Sequence, residues 1–335
     1  MSETYVALYR KYRPQTFSDV VGQEHAVELL TNAIKQNKVS HAYLFCGGRG
    51  TGKTTVARIV ARELGCNDED IIEIDAASNR GIDEVRELRE AVRTAPFSSP
   101  YKVYIIDEAH MLTKEAANAL LKTLEEPPSH VIFILATTDP EKLPSTIVSR
   151  CQKVVFKQPD IDTLAQRLLY VVKEEGEPTI SEEAARNIAL HGKGSYRDAL
   201  GILEQVLTSA GKVKEVADET IHRILGIPSS DLLVDLLEAL AKKDQSTLFA
   251  TFKKLETGNA LRAYDDFIEL VRQGLLVRVG ESTSSEKLAQ LAKDYPLLIG
   301  SKLILELLEK RHLLEVSDTH SWAAFEAILL SAVEG

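Results

Sequence analysis

Apolar residues follow two regimes along this chain. Over the first half, short continuous apolar runs of strand length alternate with segments of helical spacing. His41–Cys46, Ile71–Ile74, Val103–Ile106 and Val131–Ala136 read as strands. Between them, Thr54–Leu64 places Ala57, Val60, Ala61 and Leu64 on one helical face. Ile82–Arg93 does the same with Val85, Leu88 and Val92, and Lys114–Leu124 reads as a further helix. Strands separated by helices imply parallel β–α–β units with both sheet faces covered.

Beyond about residue 158 the strand signal stops. Leu164, Leu168, Val171 and Val172 follow helical spacing, as do Ala199, Ile202, Leu203 and Val206. Gly226–Ser230 is a turn. After it, Leu232, Leu233, Leu236, Leu237 and Leu240 open a second helical region. Leu303, Ile304, Leu307 and Leu308 continue it, and Trp322, Phe325, Ile328 and Leu329 close it. Such stripes are bundle core. Gly280–Ser285 reads as an internal flexible loop.

Composition narrows the class. In 335 residues, 44% are hydrophobic and 27% charged, which suits globular domains and excludes disorder and collagen-like repeats. Three cysteines, Cys46, Cys66 and Cys151, are too few and scattered for a disulfide framework, so reduced thiols and a cytoplasmic setting are expected. The N-terminus offers no signal-peptide run, and no stretch suits a membrane span. Net charge is −10, but residues 1–157 hold 20 basic and 21 acidic side chains against 20 and 29 in the remainder. Any contact with nucleic acid is therefore local, and is expected in the first half.

Five elements carry chemistry. Gly47-Gly48-Arg49-Gly50-Thr51-Gly52-Lys53-Thr54 fits G-x-x-x-x-G-K-[ST] between a predicted strand and a predicted helix. Its glycines let backbone N–H groups turn toward phosphates, and the helix N-terminus favours anions. Lys53 can reach β- and γ-phosphates, and Thr54 can ligate Mg2+. Asp107 and Glu108 end an apolar strand at the sheet edge where open α/β folds bind ligands. Asp107 suits the Mg2+ shell and Glu108 suits polarising a water. Thr137 and Thr138 end another strand, as γ-phosphate contacts or as simple turn caps. Arg150 is either a surface cation or a finger reaching a neighbouring subunit's γ-phosphate. Arg197, opening a helix, either folds over the nucleotide or pairs with Asp198.

In this order, these elements resemble the AAA+ clamp-loader ATPases, and among them the gamma/tau subunits of bacterial DNA polymerase III. Further residues carry the likeness: Ala7–Pro14 with Phe17, Val20–Gln23, Ile74–Ser78, Leu120–Pro128 and Ser149-Arg150-Cys151. It is dense over about residues 4–227 and diffuse beyond. The resemblance implies an α/β P-loop AAA+ domain over 1–157, a parallel sheet with flanking helices. An all-α lid domain over 158–226 and an all-α collar domain over 227–335 would follow. Tyr9, Arg13, Val20 and Val21 would line the adenine and ribose pocket, and Gly47 to Thr54 would hold phosphates. Thr138 would be sensor 1 with Thr137 beside it, Arg150 the trans-acting finger and Arg197 sensor 2.

The implied activity is ATP hydrolysis with Mg2+, coupled to loading a sliding clamp on primed DNA within a hetero-pentamer of loader subunits. DNA would be held by backbone contacts, with Arg80 and Lys114 as candidates. The family is commonly grouped with DNA-directed DNA polymerases (a nucleotidyltransferase class), though no residues here suggest nucleotidyl transfer. Localisation would be cytoplasmic, at the nucleoid during replication. Two departures stand out. The zinc module usual before the Ile-Asp-Ala-Ala-Ser segment is missing, and Cys66 alone remains there, so no zinc is expected. The chain also lacks the long tau-type extension, as a naturally short gamma-type form or a trimmed one would. The alternatives are a nucleotide-bound scaffold with little turnover, or another AAA+ machine such as a junction-migration motor or a protein remodeller.

Overall fold

In the computed structural model, the described residues are 5–78, 88, 90–176, 178–211, 213–226, 228–255, 259–281, 283, 285–315 and 320–334. Most of the helix expected over 82–93 lies outside them. The chain forms two compact units, residues 1–215 and 216–335.

The first unit is built on five parallel strands: β1 (Ala42–Gly47), β2 (Ile71–Asp75), β3 (Lys102–Asp107), β4 (Val131–Thr137) and β5 (Gln152–Phe156). Their order is β2-β3-β4-β1-β5. Period-two alternation divides the apolar runs between the two faces. Leu44, Tyr104, Ile106, Phe133 and Leu135 pack on one side with Leu120 and Leu124 of the helix Lys114–Glu125. Phe45, Ile105, Ile134 and Ala136 pack on the other with Val56, Val60, Ala26 and Leu30. Every residue of β4 is buried, which is why it reads as an unbroken apolar run.

The helices of this unit are α1 (Leu8–Lys11), α2 (Glu24–Lys35), α3 (Lys53–Glu63), α4 (Lys114–Glu125), α5 (Ser145–Val148), α6 (Ile161–Glu175), α7 (Glu182–His191) and α8 (Tyr196–Ala210). Side-chain oxygens set several starts: Thr113 accepts from Ala116 N, Asp160 from Thr163 N, Ser181 from Ala184 N and Ser195 from Asp198 N. Each such cap contributes about 1 kcal/mol. The helices α6, α7 and α8 pack on one another through Leu168, Val171, Ile188, Leu203 and Val206, all buried.

The sequence analysis did not find β5 or α2. In β5 only Val154 and Phe156 are buried, so this edge strand shows too short an alternation to read. In α2 the buried positions are Ala26 and Leu30, a usable but sparse signal. Between α3 and β2 the chain is tied down directly. Asp70 accepts from the N–H groups of Phe97, Ser98 and Ser99, and the Cys66 thiol donates to Tyr101 O at 3.3 Å.

The second unit is helical: α9 (Asp218–Leu225), α10 (Ser230–Ala241), α11 (Gln245–Leu255), α12 (Ala260–Arg278), α13 (Glu286–Asp294), α14 (Ser301–Lys310) and α15 (Ser321–Glu334). Phe325 sits at its centre against Phe252, Tyr264, Phe267 and Trp322. Tyr264 donates its hydroxyl to Leu307 O at 2.6 Å, which makes a buried phenol acceptable there. Among the described residues, no helix is long and apolar enough to cross a membrane.

Candidate active site

The glycine-rich segment turns from β1 into α3 at the carboxyl edge of the sheet. Gly50 (φ +69°) and Gly52 (φ +102°) occupy backbone conformations that L side chains rarely adopt. Gly47 has a different constraint: a Cβ there would stand 2.4 Å from Phe156 O, so glycine lets β1 and β5 run close. Gly52 is the N-cap of α3 and makes no side-chain cap. The first N–H groups of α3 are left as donors for an anion.

Lys53 is buried and donates to Gly47 O (2.9 Å) and Gly48 O (2.8 Å). An ammonium has three protons, so one remains for a ligand. Burial lowers its pKa below the usual lysine value, while Glu108 and Asp107 act in the opposite direction. Thr54 Oγ1 donates to Asp107 Oδ2 at 2.6 Å. A hydroxyl and a carboxylate converging at the sheet edge are hard oxygen donors that fit Mg2+, which keeps several waters and takes other ligands from phosphates. Among the described residues, no group of three or more His, Cys, Asp or Glu is placed to hold a metal.

Glu108 follows Asp107 and has φ +48°. Thr138 reaches it with its hydroxyl, 3.1 Å from Glu108 Oε2. Thr137, fully buried, accepts from Asp139 N at 3.0 Å and lies 3.0 Å from His110 Nδ1. The register explains the grouping: Ile106 pairs with Leu135, so the ends of β3 and β4 lie side by side.

A cleft over this edge is lined by Tyr9, Arg13, Val20, Val21, Arg49, Gly50, Thr51, Gly52, Lys53, Thr54, Asp107, Glu108 and Arg197. Thus residues far apart in sequence meet at one place. The Arg197 guanidinium stands over the Tyr9 ring, 5.8 Å from its centroid. Burial lowers the pKa of Arg13. Gly47, Gly48, Thr137 and Thr138 stand behind the cleft and act on residues that line it.

Arg150 does not line this cleft. It donates to Thr146 O at 2.7 Å and pairs with Glu125. Lys114 is exposed at the start of α4, and Arg80 lies outside the described residues.

Other lining residues were missed by sequence reasoning: Tyr12, Pro14, Asp19, Arg167, Tyr196 and Leu200. Tyr196 was within reach, being next to Arg197. Its N–H donates to Gly50 O (3.0 Å) and its hydroxyl to Val21 O (2.9 Å), so it joins the phosphate loop to the Val20-Val21 segment. Burial pushes its phenol up to about 12, so it stays a donor at neutral pH. Arg167 donates to Tyr12 O at 2.9 Å, and Glu175 takes both Lys11 (2.7 Å) and the Tyr12 hydroxyl (2.6 Å). No periodicity could reveal these long-range ties.

Comparison with known proteins agrees with this geometry. The family model described as DNA polymerase III, delta subunit, matches residues 22–80 and 67–160. DNA polymerase III subunit tau of Bacillus subtilis is 43% identical over 298 residues, covering 82% of this chain and 52% of that protein. The Escherichia coli tau subunit is 40% identical over 270 residues, 74% of this chain and 41% of the relative. DNA polymerase III subunit gamma of Buchnera aphidicola is 37% identical over 277 residues, covering 76% of this chain and 75% of that one. The chain thus spans about half or less of the two tau proteins and most of the gamma protein. Among solved structures, the Thermotoga maritima RuvB Holliday junction branch migration motor aligns with TM-score 0.54 at 20% identity, over 82% of this chain and 94% of its own. That likeness is one of fold.

Proposed function

Because the chain belongs to the gamma/tau family of DNA polymerase III subunits, we propose that it is an ATP-hydrolysing motor that loads a sliding clamp on primed DNA. One observation carries the reading: a phosphate loop with Lys53 and Thr54, the acidic pair Asp107 and Glu108, and Arg197 all line one cleft. A scaffold would need no such pairing of a phosphate grip with a positioned carboxylate.

The division of labour follows from the contacts. The α3 N-terminus and Lys53 hold the β- and γ-phosphates of ATP. Thr54 and Asp107 would hold Mg2+, which when bound neutralises charge developing on the phosphates. Glu108 orients the attacking water and accepts its proton, with Thr138 fixing the carboxylate through Oε2. Tyr9, Arg13, Val20 and Val21 enclose the base and sugar. Arg197 closes on the nucleotide from α8 and senses it.

Arg150 lies outside its own cleft, which suits a finger that acts on a neighbouring subunit's ATP. In this reading the chain divides into a nucleotide-binding domain (1–157), a lid (158–226) and a collar (227–335) that assembles with other loader subunits. Primed DNA is held by its backbone, with Lys114 and Arg80 as candidates, and the setting is cytoplasmic. Zinc has no place in it. The Cys66 thiol is donated to Tyr101 O, and burial pushes its pKa up to about 11, away from the thiolate that zinc needs.

The test is steady-state ATP hydrolysis by the chain alone, with primed DNA, and with clamp and partner subunits. Stimulation by the full mixture, lost in Glu108→Gln and in Arg150→Ala, supports the motor. Tight ATP binding without stimulated turnover would replace it with a scaffold.

A further inference from the structure

Glu108 stands on an awkward backbone. Its φ of +48° costs a non-glycine residue about 1–2 kcal/mol. Such outliers persist where surrounding contacts over-determine them. Here the backbone contacts are Glu108 N to Asp107 Oδ1 (3.0 Å) and Met111 N to Glu108 O (2.8 Å). They fix the turn but not the direction of the carboxylate.

The carboxylate is fixed by contacts to one oxygen. Thr138 donates to Oε2 from its hydroxyl at 3.1 Å and from its N–H at 3.4 Å. His110 Nδ1 lies 3.4 Å from the same Oε2. That nitrogen also lies 3.0 Å from Thr137 Oγ1, which already accepts the Asp139 N–H. The His110 side chain is 11% exposed, so water cannot freely replace these partners. A carboxylate oxygen only accepts, and Thr137 Oγ1 has a second lone pair to offer. With acceptors on both sides, the proton belongs on Nδ1.

We infer that His110 is a positioning residue for ATP hydrolysis. Its Nδ1–H is shared between Thr137 Oγ1 and Glu108 Oε2, and this holds Glu108 so that Oε1 is left for the attacking water. Thr137 thereby acts through His110, whereas Thr138 acts on Glu108 directly. Together the four side chains form a brace across the adjacent ends of β3 and β4. The inference rests on the proposed role of Glu108 as the group that takes the water's proton.

The experiment compares wild type, His110→Ala, His110→Asn, His110→Gln and Glu108→Gln in the full mixture of loader subunits, clamp and primed DNA. It reads kcat and KM for ATP, and separately the affinity for a fluorescent non-hydrolysable ATP analogue. His110→Ala should lower kcat about ten-fold, the weight of one shared hydrogen bond, and change KM and analogue affinity by less than about two-fold. His110→Asn places an amide N–H where Nδ1–H stands and should recover most of the loss. His110→Gln carries its amide to the Nε2 position and should not. In a Glu108→Gln background, His110→Ala should add nothing further.

The inference is overturned if His110→Ala keeps wild-type kcat, if affinity falls in step with kcat, or if Asn and Gln rescue equally. A wild-type complex that binds the analogue yet shows no turnover sinks the ATPase reading, and this inference with it.

Discussion

Gly50→Ala tests whether the phosphate loop is shaped for its ligand alone or also for the helix that leans on it. A Cβ on Gly50 would stand 2.0 Å from Ser195 Oγ and 2.9 Å from Ser195 Cβ. Ser195 is buried, and its Oγ caps α8 by accepting the Asp198 N–H at 3.2 Å. The next residue, Tyr196, donates its N–H to Gly50 O at 3.0 Å. The substitution therefore costs about 1–2 kcal/mol for alanine at positive φ. It adds about 1 kcal/mol for the displaced cap and about 1 kcal/mol for the weakened backbone bond. The sum is about 3–4 kcal/mol. For a unit of this size that lowers the unfolding temperature by about 10 °C.

Ser195→Gly removes both clashing atoms and, as a cap change, costs only a few tenths of a kcal/mol. In that background, Gly50→Ala should recover about 1–2 kcal/mol of its penalty. Gly52→Ala is the control: its Cβ would meet nothing within 4 Å, so only backbone strain remains and Ser195→Gly should not relieve it. Calorimetry and urea denaturation followed by circular dichroism on the four-variant cycle give the numbers. An unchanged Gly50→Ala penalty with Ser195 absent would refute the reasoning.

Further outcomes follow from the same contacts. Glu108→Gln should lower turnover at least about 100-fold while ATP analogue affinity holds, measured by equilibrium titration beside steady-state rates. Arg150→Ala should leave the isolated chain's nucleotide affinity unchanged but cut assembly-stimulated turnover by about a thousand-fold; a loss of affinity in the lone chain would place Arg150 in its own cleft. Burial pushes the thiols of Cys66 up to about 11 and Cys151 to about 12, and raises Cys46 as well. These raised values stabilise the fold fully below about pH 9, and that stability is lost as pH climbs through the folded values. Urea midpoints should therefore fall above pH 9, and iodoacetamide at pH 8 should label the native chain far more slowly than the unfolded one.

How much of this was legible beforehand depended on the range of the interaction. Local chemistry writes itself into adjacent residues. The Gly47–Thr54 segment needs a strand before it and a helix after it, and both are where the apolar pattern put them. The strand ending at Asp107 was legible for the same reason, since burial on both faces demands an unbroken apolar run. The edge strand Gln152–Phe156 was not, because only two of its side chains are buried. His110 was printed beside Glu108, yet its partner Thr137 lies across the sheet on a neighbouring strand.

The sequence by itself determined the strand–helix alternation, the phosphate loop, the acidic pair and the helical second half, because each depends on spacing within one element. Tertiary structure decided which of those residues face one another. It brought Arg197 over Tyr9, set Ser195 against Gly50, left Arg150 outside the cleft with Glu125, and hung Glu108 between Thr138 and His110. The physical reason is that periodicity records which side of an element is buried, whereas contact between elements depends on strand order and register, which no single segment encodes.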